Sequence, residues 1–310
     1  MIIPEPINQK KLFGLDDQFN ELIRLYEADI YPNKILLSGQ KGSGKSTLAY
    51  HFINYVLSKD EDHSYDKKNF VIDAESSSFK TILNKSNPNI NIIDVNSDKK
   101  SIDINQIREL ILDLNKSSFN SKPRFVLIDN IEFLNKNSIN ALLKILEEPN
   151  YNINFILINN NKKVLSTLSS RCINYKICLT NKKCLEIANN LLNGNLKNLV
   201  NNDLINYYLT PGKIYNLIKF AESYNYNLIE FDLKKFLKII IKDNHYKKDS
   251  FMKFMIFDLM EFYFRKLNSS FSKKINEKYS YFLKKISDTK SFNLDDESLF
   301  VEFEDEILNG

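Results

Sequence analysis

An octapeptide rich in glycine constrains the fold of this chain more than any other feature. Residues 39–46 read Gly-Gln-Lys-Gly-Ser-Gly-Lys-Ser and match the pattern GxxxxGK[ST]. The apolar run Lys34–Ser38 precedes this segment, and a helix-like stretch from Thr47 to Ser58 follows it. In a strand, turn and helix of this kind, successive backbone N–H groups and the helix N-terminus face the phosphates of a nucleotide. The octapeptide therefore predicts a phosphate-binding loop.

The residue types in and after this loop suit ATP and Mg²⁺. The amine of Lys45 would reach the β- and γ-phosphates, and the hydroxyl of Ser46 would bind Mg²⁺. Three of the seven glycines of the chain lie in the loop, which a chance turn would not explain. The predicted nucleotide-binding residues of this segment are Gly39, Gly42, Ser43, Gly44, Lys45, Ser46 and Thr47.

A second motif, Phe125–Asp129, is an apolar strand that ends in an acid. Asp129 is the candidate partner of the Mg²⁺ ion, although an acid at a strand end can also simply cap a turn. In P-loop ATPases of the additional-strand class the next residue is usually a glutamate that orients the attacking water, but here it is Asn130. Because an amide cannot act as a base, we expect poor ATP hydrolysis. If the strand continued, Glu132 would point to the side opposite Asp129, so it is an uncertain substitute.

Apolar runs and helix-like stretches alternate over the first 178 residues. The runs are nearly continuous rather than alternating, which is typical of strands buried on both faces of a parallel sheet. Helix-like stretches between them include Asp103–Lys116 and Ser138–Glu148. The alternation predicts a doubly wound α/β domain over residues 1–178. The apolar runs are Lys34–Ser38, Phe70–Ala74, Asn91–Val95, Arg124–Asp129, Phe155–Ile158 and Ile173–Leu179.

The strand signal fades after Leu179. Residues 179–224 read as short helices with a break at Thr210-Pro211-Gly212, and residues 225–310 read as longer helices. In Phe251–Phe264 the charged residues fall within one narrow stripe at helical spacing. A helix that is apolar around most of its circumference is buried in a bundle or in an oligomer interface.

Composition narrows the class of protein further. With 43% hydrophobic residues the chain has enough apolar mass for real cores and is not disordered. No apolar run reaches the ~18–20 residues of a membrane span, and the N-terminus lacks a signal-peptide pattern. Cys172, Cys178 and Cys184 are odd in number and include no CxxC, so neither a disulfide scaffold nor zinc is expected. We expect a cytoplasmic protein without a membrane partner. Residues 1–294 carry 43 Lys and Arg against 32 Asp and Glu, and this mild excess of positive charge permits contact with nucleic acid without establishing it.

Three further strings point to one group of P-loop proteins. They are Ile128-Asp129-Asn130, NALLKILEEP from Asn140 to Pro149, and Ser170-Arg171-Cys172. Together they resemble the bacterial clamp-loader subunits of the AAA+ class, with matches over residues 12–213. The resemblance implies that the three predicted segments are an AAA+ domain, a small helical lid and a C-terminal helical collar used in oligomerisation.

Within this family the sequence resembles the delta-prime subunits more than the hydrolysing gamma/tau motors. Asn130 replaces the glutamate of the motor, and no cysteine lies between residues 47 and 171, where the four-cysteine zinc module of the motor is expected. The chain ends at residue 310 without the long extension of tau. Many delta-prime subunits have a degraded phosphate-binding loop, whereas here it is intact. We therefore interpret the loop as evidence for ATP binding rather than turnover.

The resemblance implies roles for residues outside the loop. Arg171 would reach into the ATP site of a neighbouring subunit as an arginine finger, a role that needs the planar guanidinium. Asn159 or Asn160 would be the first sensor of the γ-phosphate, and both residues stay open at this point. Lys213 would be the second sensor, although lysine lacks the bidentate geometry of arginine.

The function that the resemblance implies is that of a delta-prime subunit of the DNA polymerase III clamp loader. Such a subunit assembles with gamma/tau and delta subunits into a hetero-oligomer that places the sliding clamp on primer–template DNA. The alternatives are a gamma/tau-like ATPase with its own turnover, a P-loop kinase, and a structural subunit with a vestigial loop. Brisk ATP hydrolysis by the isolated chain, phosphate transfer to a small acceptor, or failure to bind ATP would distinguish them.

Overall fold

The chain forms two units, defined by contacts between backbone positions. The first contains Met1–Asn193 and Thr210–Tyr215, and the second contains Gly194–Leu209 and Asn216–Gly310. The predicted division into three domains at residues 178 and 224 stays a prediction. The computed structural model describes residues 5–95, 101–147, 152–161, 164–205, 207–267, 273–292 and 294–309.

A parallel sheet lies at the centre of the first unit. Its strands within the described residues are β1 Lys34–Ser38, β2 Ile90–Ile93, β3 Arg124–Ile128, β4 Ile153–Asn159 and β5 Ile173–Lys176. They lie in the order β2-β3-β4-β1-β5, and every pairing is parallel. The carboxyl ends of β1, β3 and β4 are therefore neighbours, which is where ligands bind in open α/β sheets. The predicted α/β fold with a parallel sheet is confirmed.

Helices cover both faces of this sheet. They are α1 Asp16–Glu27, α2 Lys45–Leu57, α3 Ser77–Leu83, α4 Ile104–Leu114, α5 Lys136–Glu147, α6 Ser166–Ser169 and α7 Asn181–Leu192. Alternate residues of β3 belong to different cores, with Phe125 and Leu127 in one cluster and Val126 and Ile128 in the other. Burial on both faces explains why the strand is apolar at every position after Arg124. The end of the helix predicted over Ser138–Glu148, and the following Pro149, lie outside the described residues.

The prediction of a strand over Phe70–Ala74 is wrong. In the structure this run lies between α2 and α3, where Val71 makes isolated antiparallel bridges outside the five-stranded sheet. The backbone at Phe70 is left-handed, with φ +54°, and a left-handed residue interrupts an extended strand. The run is apolar because its side chains pack: the Phe70 ring meets Phe19 edge to face, and Ile72 is buried.

The second unit is helical in the residues that the structure describes. Its longest segments pack around aromatic side chains, among which Phe236, Phe264, Phe282 and Phe303 are fully buried. Helix α9, Pro211–Ser223, begins in the first unit and continues into the second. The helices from α8 onwards are α8 Asn202–Ile205, α9 Pro211–Ser223, α10 Leu233–Lys242, α11 His245–Lys248, α12 Ser250–Leu267, α13 Lys273–Phe292 and α14 Asp296–Phe303.

The predominantly apolar helix predicted over Phe251–Phe264 is the buried middle of α12. Met252, Leu259 and Met260 have no exposed surface, whereas Phe254 is 68% exposed. The apolar surface of α12 is therefore buried within the helical unit, as in the helix bundle that the sequence pattern predicts. Among the described residues, no helix is both long enough and apolar enough to cross a bilayer.

Candidate nucleotide site

Residues 39–44 form a tight backbone loop between β1 and α2, as predicted, and we call residues 39–46, which include the first two residues of α2, the P-loop. Gly42 has a φ of +82°, in the left-handed region that glycine adopts readily. A Cβ atom at Gly42 would lie 2.7 Å from the Thr210 hydroxyl oxygen, and one at Gly39 would lie 2.5 Å from the Ile177 carbonyl oxygen. The loop therefore excludes side chains at both positions. Gly44 is the residue before α2, so the backbone N–H groups at the helix start line the same loop.

Lys45 is buried at the first position of α2, with 3% of its surface exposed. Its amine donates to the carbonyl oxygens of Gly39 at 3.0 Å and Gln40 at 2.7 Å. Burial lowers the pKa of Lys45 to about 8, while the charges of Asp129 and Glu132 raise it. The amine is thus a cation inside the loop, where it can meet phosphate oxygens.

The structure brings Ser46 and Asp129 together across 83 residues of sequence. The Ser46 hydroxyl donates to Asp129 Oδ2 at 2.5 Å, at the point where β3 ends beside the P-loop. Burial raises the pKa of the Asp129 carboxyl, and the hydrogen bond from Ser46 opposes that rise. A hydroxyl and a carboxylate in contact are oxygen ligands of the type that Mg²⁺ prefers. Thr47 follows in the first turn of α2 and is half-buried.

Asn130 lies directly after Asp129 and turns the chain out of the strand. Its backbone is left-handed, with φ +55° and ψ +46°. Its side-chain NH₂ donates to Asp94 Oδ1 at 2.7 Å, and its side-chain oxygen accepts from the Asn160 amide at 2.7 Å. The Asn130 side chain is therefore tied between the ends of β2 and β4.

Glu132 lies at the same edge of the sheet, contrary to the geometry expected for a continuing strand. β3 ends at Ile128, and a single 3₁₀ turn over Ile131–Phe133 follows. The Glu132 carboxylate accepts a hydrogen bond from the backbone N–H of Asn160 at 3.3 Å. Sequence reasoning missed this placement because it assumed that the strand continued past Asn130. The available signal was Asn130 itself, since asparagine enters the left-handed region several times more often than most residues.

The two candidates for the first sensor both lie at the end of β4. Asn159 is buried and sits opposite Ser38, the last residue of β1 before the P-loop. Asn160, one residue later, belongs to the network of Asn130 and Glu132. The assignment of Asn159 as the sensor stays a prediction, although its position beside the P-loop strand is consistent with it.

The segment Thr210–Lys213 is also part of this site, far from it in sequence. The Thr210 hydroxyl donates to the Lys41 carbonyl oxygen at 2.8 Å, and the Gly212 N–H donates to the Gly42 carbonyl oxygen at 2.9 Å. These bonds hold the start of α9 on the P-loop. Lys213 is half-buried next to this contact, so the structure brings the predicted second sensor to the loop.

Arg171 lies between α6 and β5 and has no part in the P-loop network among the described residues. One guanidinium nitrogen donates to the Thr167 carbonyl oxygen at 2.6 Å, and another forms an ion pair with Glu147 at the end of α5. About a third of the side chain (32%) is exposed. Cys172 beside it is buried, which raises the pKa of its thiol to about 11, so it packs as a small apolar residue rather than acting as a nucleophile.

Comparison with known proteins identifies relatives of the chain. The family model described as DNA polymerase III, delta subunit, matches residues 14–181, which include the sheet, the P-loop and Arg171. The DNA polymerase III subunit delta' of Buchnera aphidicola subsp. Schizaphis graminum is 27% identical over an alignment of 282 positions, and the match covers 83% of this chain and 83% of that protein. The DNA polymerase III subunit gamma/tau of Mycoplasma genitalium is 29% identical over 168 residues, which are 54% of this chain but 27% of that protein.

A solved structure shares the fold. A DNA polymerase III gamma-subunit-related protein from Thermotoga maritima superposes with a TM-score of 0.50 at 18% identity, covering 92% of this chain and 97% of that one. At this level of identity the similarity bears on the fold alone. It agrees with a P-loop domain followed by helical segments.

Proposed function

This chain belongs to the DNA polymerase III delta-subunit family as a delta-prime-like clamp-loader protein, and from that membership we propose a division of labour between two of its sites. The P-loop binds ATP with Mg²⁺ and turns it over poorly. Arg171 acts on a different ATP molecule, one bound by the neighbouring subunit. The observation that carries the proposal is the amide of Asn130, which follows Asp129 and is tied to Asp94 and Asn160.

The residues of the P-loop fit a nucleotide with Mg²⁺. The close contacts of Gly39 with Ile177 and of Gly42 with Thr210 leave no room for side chains on the loop. The buried amine of Lys45 lies within the loop, and Ser46 contacts Asp129 beside it. ATP would supply a transferable terminal phosphate, with its charge neutralised by Mg²⁺. Lys45 would bind the phosphate oxygens, Ser46 and Asp129 would hold the ion, and Lys213 would approach from the start of α9. Nothing in this set of ligands calls for zinc.

Poor turnover follows from the chemistry of Asn130. Hydrolysis needs a group that orients the attacking water and accepts its proton, and an amide cannot accept a proton near neutral pH. Both polar atoms of the Asn130 amide are in addition bonded to other residues. Binding of ATP without fast hydrolysis suits a subunit that supplies Arg171 to a neighbouring ATPase and does not drive the assembly by its own turnover.

The placement of Arg171 supports a role in trans. Its guanidinium lies at the end of α5 rather than in the network around Lys45 and Asp129, and it is partly exposed. An arginine finger must protrude from its own chain in order to reach a phosphate held by another subunit. Arginine also keeps its charge at all relevant pH values and offers a planar fork, which lysine does not.

The partners in this proposal come from the family. We propose that the chain assembles with gamma/tau and delta subunits into a cytoplasmic hetero-oligomer, with residues 179–224 as a helical lid and residues 225–310 as a collar. Through that assembly it would act with the sliding clamp on primer–template DNA. The names of the relatives, which include a delta' and a gamma/tau subunit of DNA polymerase III, support this assignment.

The proposal is tested with the chain alone and with its matching gamma/tau and delta subunits. Binding of a fluorescent ATP analogue with Mg²⁺ should be present in the wild type and lost in Lys45→Ala. In the assembled complex, Arg171→Ala should lower clamp- and DNA-stimulated ATP turnover by about 10³-fold or more, and Arg171→Lys should not restore it. Arg108→Ala is the matched control, because Arg108 is an exposed arginine on α4. Brisk turnover by the isolated chain that is unaffected by Arg171→Ala would contradict the proposal.

A second candidate function is an active gamma/tau-like ATPase. The intact P-loop and the Ser46–Asp129 contact favour it, because both would be needed for turnover. The same measurements separate the two functions. The isolated motor would hydrolyse ATP at a rate comparable to that of the complex, whereas the delta-prime-like subunit would be nearly inactive alone.

A further inference from the structure

The turn after β3 redirects the chain at the point where a P-loop ATPase needs its second acid. Asn130 is left-handed, and its carbonyl oxygen accepts from the N–H of Phe133 at 2.9 Å, which closes a single 3₁₀ turn. Because of this turn, Glu132 does not occupy the second position of an extended strand. The contacts of the Glu132 carboxylate, and not a position along a strand, determine which side of the sheet it faces.

The contacts of Glu132 place its carboxylate between the carboxyl ends of β3 and β4. Oε2 accepts from the backbone N–H of Asn160 at 3.3 Å. The preceding residue, Asn159, pairs with Ser38 at the end of β1, where the P-loop begins. The charge of Glu132 also acts on the amine of Lys45, as does that of Asp129. Glu132 therefore faces the nucleotide side of the sheet.

The carboxylate of Glu132 has capacity for a further ligand. An ionised carboxylate offers two oxygens with about four lone-pair sites. Among the described residues, Asn160 is the donor to one of these oxygens, and no donor contacts the other. Glu132 is half-buried, so a water molecule can reach it. Asn130, in contrast, uses both polar atoms of its side chain within the protein.

We propose that Glu132 is the catalytic base of a slow ATP hydrolysis carried out by this chain itself, in place of the acid missing at Asn130. This inference rests on the proposed function, because it requires ATP with Mg²⁺ at the P-loop. Glu132 orients a water molecule and takes its proton as the water oxygen bonds to the terminal phosphorus. The bond from that phosphorus to the bridging oxygen breaks, its electron pair stays on the departing diphosphate, and phosphate and ADP are the products.

A purely structural role for Glu132 makes a different prediction. If Glu132 only accepts the N–H of Asn160, then glutamine should replace it without loss, because the glutamine side-chain oxygen is also an acceptor. If Glu132 is the base, then glutamine should fail, because an amide does not take up the proton. Glu132→Gln therefore separates the two roles, and Glu132→Ala removes both.

The experiment uses the purified full chain and two readouts. The first is phosphate release from ATP at high enzyme concentration, where a slow reaction is measurable. The second is capture of ADP with aluminium fluoride, a mimic of the transition state that forms when a water molecule is held in line. Glu132→Gln should bind the fluorescent ATP analogue as the wild type does, release phosphate about 10²-fold more slowly, and fail to capture ADP–aluminium fluoride. The control is Glu109→Gln, an exposed glutamate on α4.

Each of the other possible outcomes contradicts a specific part of the proposals. If Glu132→Gln keeps the wild-type rate and captures the mimic, or if the wild type binds ATP without any measurable hydrolysis, then Glu132 is not a base. In both cases ATP binding and the role of Arg171 stand. If the wild type does not bind ATP, then the base and the nucleotide part of the proposed function both fail. The effect of Arg171→Ala is measured in the assembled complex, so it does not depend on which of these three results the isolated chain gives.

Discussion

The backbones of Gly42 and Gly212 lie in direct contact, with the Gly212 N–H donating to the Gly42 carbonyl oxygen at 2.9 Å. A Cβ atom on Gly212 would lie 2.8 Å from the Cα of Gly42, and one on Gly42 would lie 3.2 Å from the Cα of Gly212. Neither glycine can carry a side chain unless the other moves. The start of α9 is therefore fixed on the P-loop, and Lys213 is held beside the phosphates that the loop is proposed to bind.

Gly212→Ala should destabilise the chain and weaken ATP binding. Gly212 is in the first turn of α9 and its φ is not left-handed, so helix propensity alone would favour alanine by about 1 kcal/mol. The collision with the backbone of Gly42 reverses that sign, because backbone cannot move aside as a flexible side chain can. We expect a loss of about 1–3 kcal/mol in the free energy of unfolding, measured with urea, together with a raised Kd for the fluorescent ATP analogue.

The control for this prediction is Gly194→Ala. Gly194 is exposed after α7 and its φ is not left-handed, so alanine there should change neither quantity appreciably. A Gly212→Ala variant as stable as the wild type, with the same Kd, would show that the contact between α9 and the P-loop is loose in solution.

A single aromatic side chain should account for much of the stability of the helical unit. Phe264 on α12 has no exposed surface, and its ring centroid lies 5.5 Å from those of Phe282 and Phe303. Phe264→Ala leaves a cavity among three helices and should cost about 3–5 kcal/mol in the free energy of unfolding. Phe254→Ala on the same helix is the control, because Phe254 is 68% exposed, and it should cost less than about 0.5 kcal/mol. Equal effects of the two substitutions in urea unfolding would refute this packing.

The parallel sheet could be predicted because its strands are buried on both faces. β3 is buried at all five positions and apolar at the four that follow Arg124, and the sequence shows such a run directly. The same signal failed at Phe70–Ala74, where Phe70 packs against Phe19 and Ile72 is buried without forming a strand of the sheet. Local apolarity reports burial, and it does not separate a buried strand from a buried irregular segment.

In the candidate site, too, some contacts could be predicted from the sequence and others could not. The contact between Ser46 and Asp129 could be predicted because each residue belongs to a motif whose spacing implies its neighbours. The placement of Glu132 could not, because it depends on one left-handed residue, Asn130, in a chain with 41 asparagines. The bond from Gly212 to the P-loop depends on how the chain returns over about 170 residues, and no local pattern encodes that path.

The free energy of unfolding should decrease as the pH is lowered, because of one buried histidine. His51 is fully buried; its Nε2 lies 2.9 Å from the Gln9 carbonyl oxygen, and its Nδ1 lies 2.8 Å from the Tyr65 hydroxyl. The carbonyl can only accept, so Nε2 carries the proton and Nδ1 accepts from Tyr65. Burial lowers the pKa of His51 to about 4, below its ordinary 6.5.

The direction of this pH effect follows from the difference in proton binding between the folded and the unfolded chain. Between pH 6.5 and 4 the unfolded chain binds the proton at His51 and the folded chain does not, so folding stability is full above pH 6.5 and is lost as the pH falls toward 4. This one residue should contribute a loss of about 3 kcal/mol over that interval. Urea unfolding from pH 7.5 to 4.5 should therefore show a shallower pH dependence for His51→Gln than for the wild type. His63→Gln is the control, since His63 is on the surface, and identical slopes for all three proteins would contradict the prediction.

Glu147 should position Arg171 without stabilising the fold. The two side chains form an ion pair at the end of α5, but Glu147 is 55% exposed, and exposed ion pairs contribute about 0–1 kcal/mol. Glu147→Gln should therefore leave urea unfolding nearly unchanged. It also frees the guanidinium to adopt other rotamers, so fewer molecules present Arg171 in the orientation that the neighbouring ATP site requires. We expect clamp- and DNA-stimulated turnover of the assembled complex to fall by roughly three- to tenfold, much less than for Arg171→Ala. Glu75→Gln, which breaks a comparable surface pair with Lys80, should leave turnover unchanged, and an equal loss in both variants would show that the Glu147 effect is unspecific.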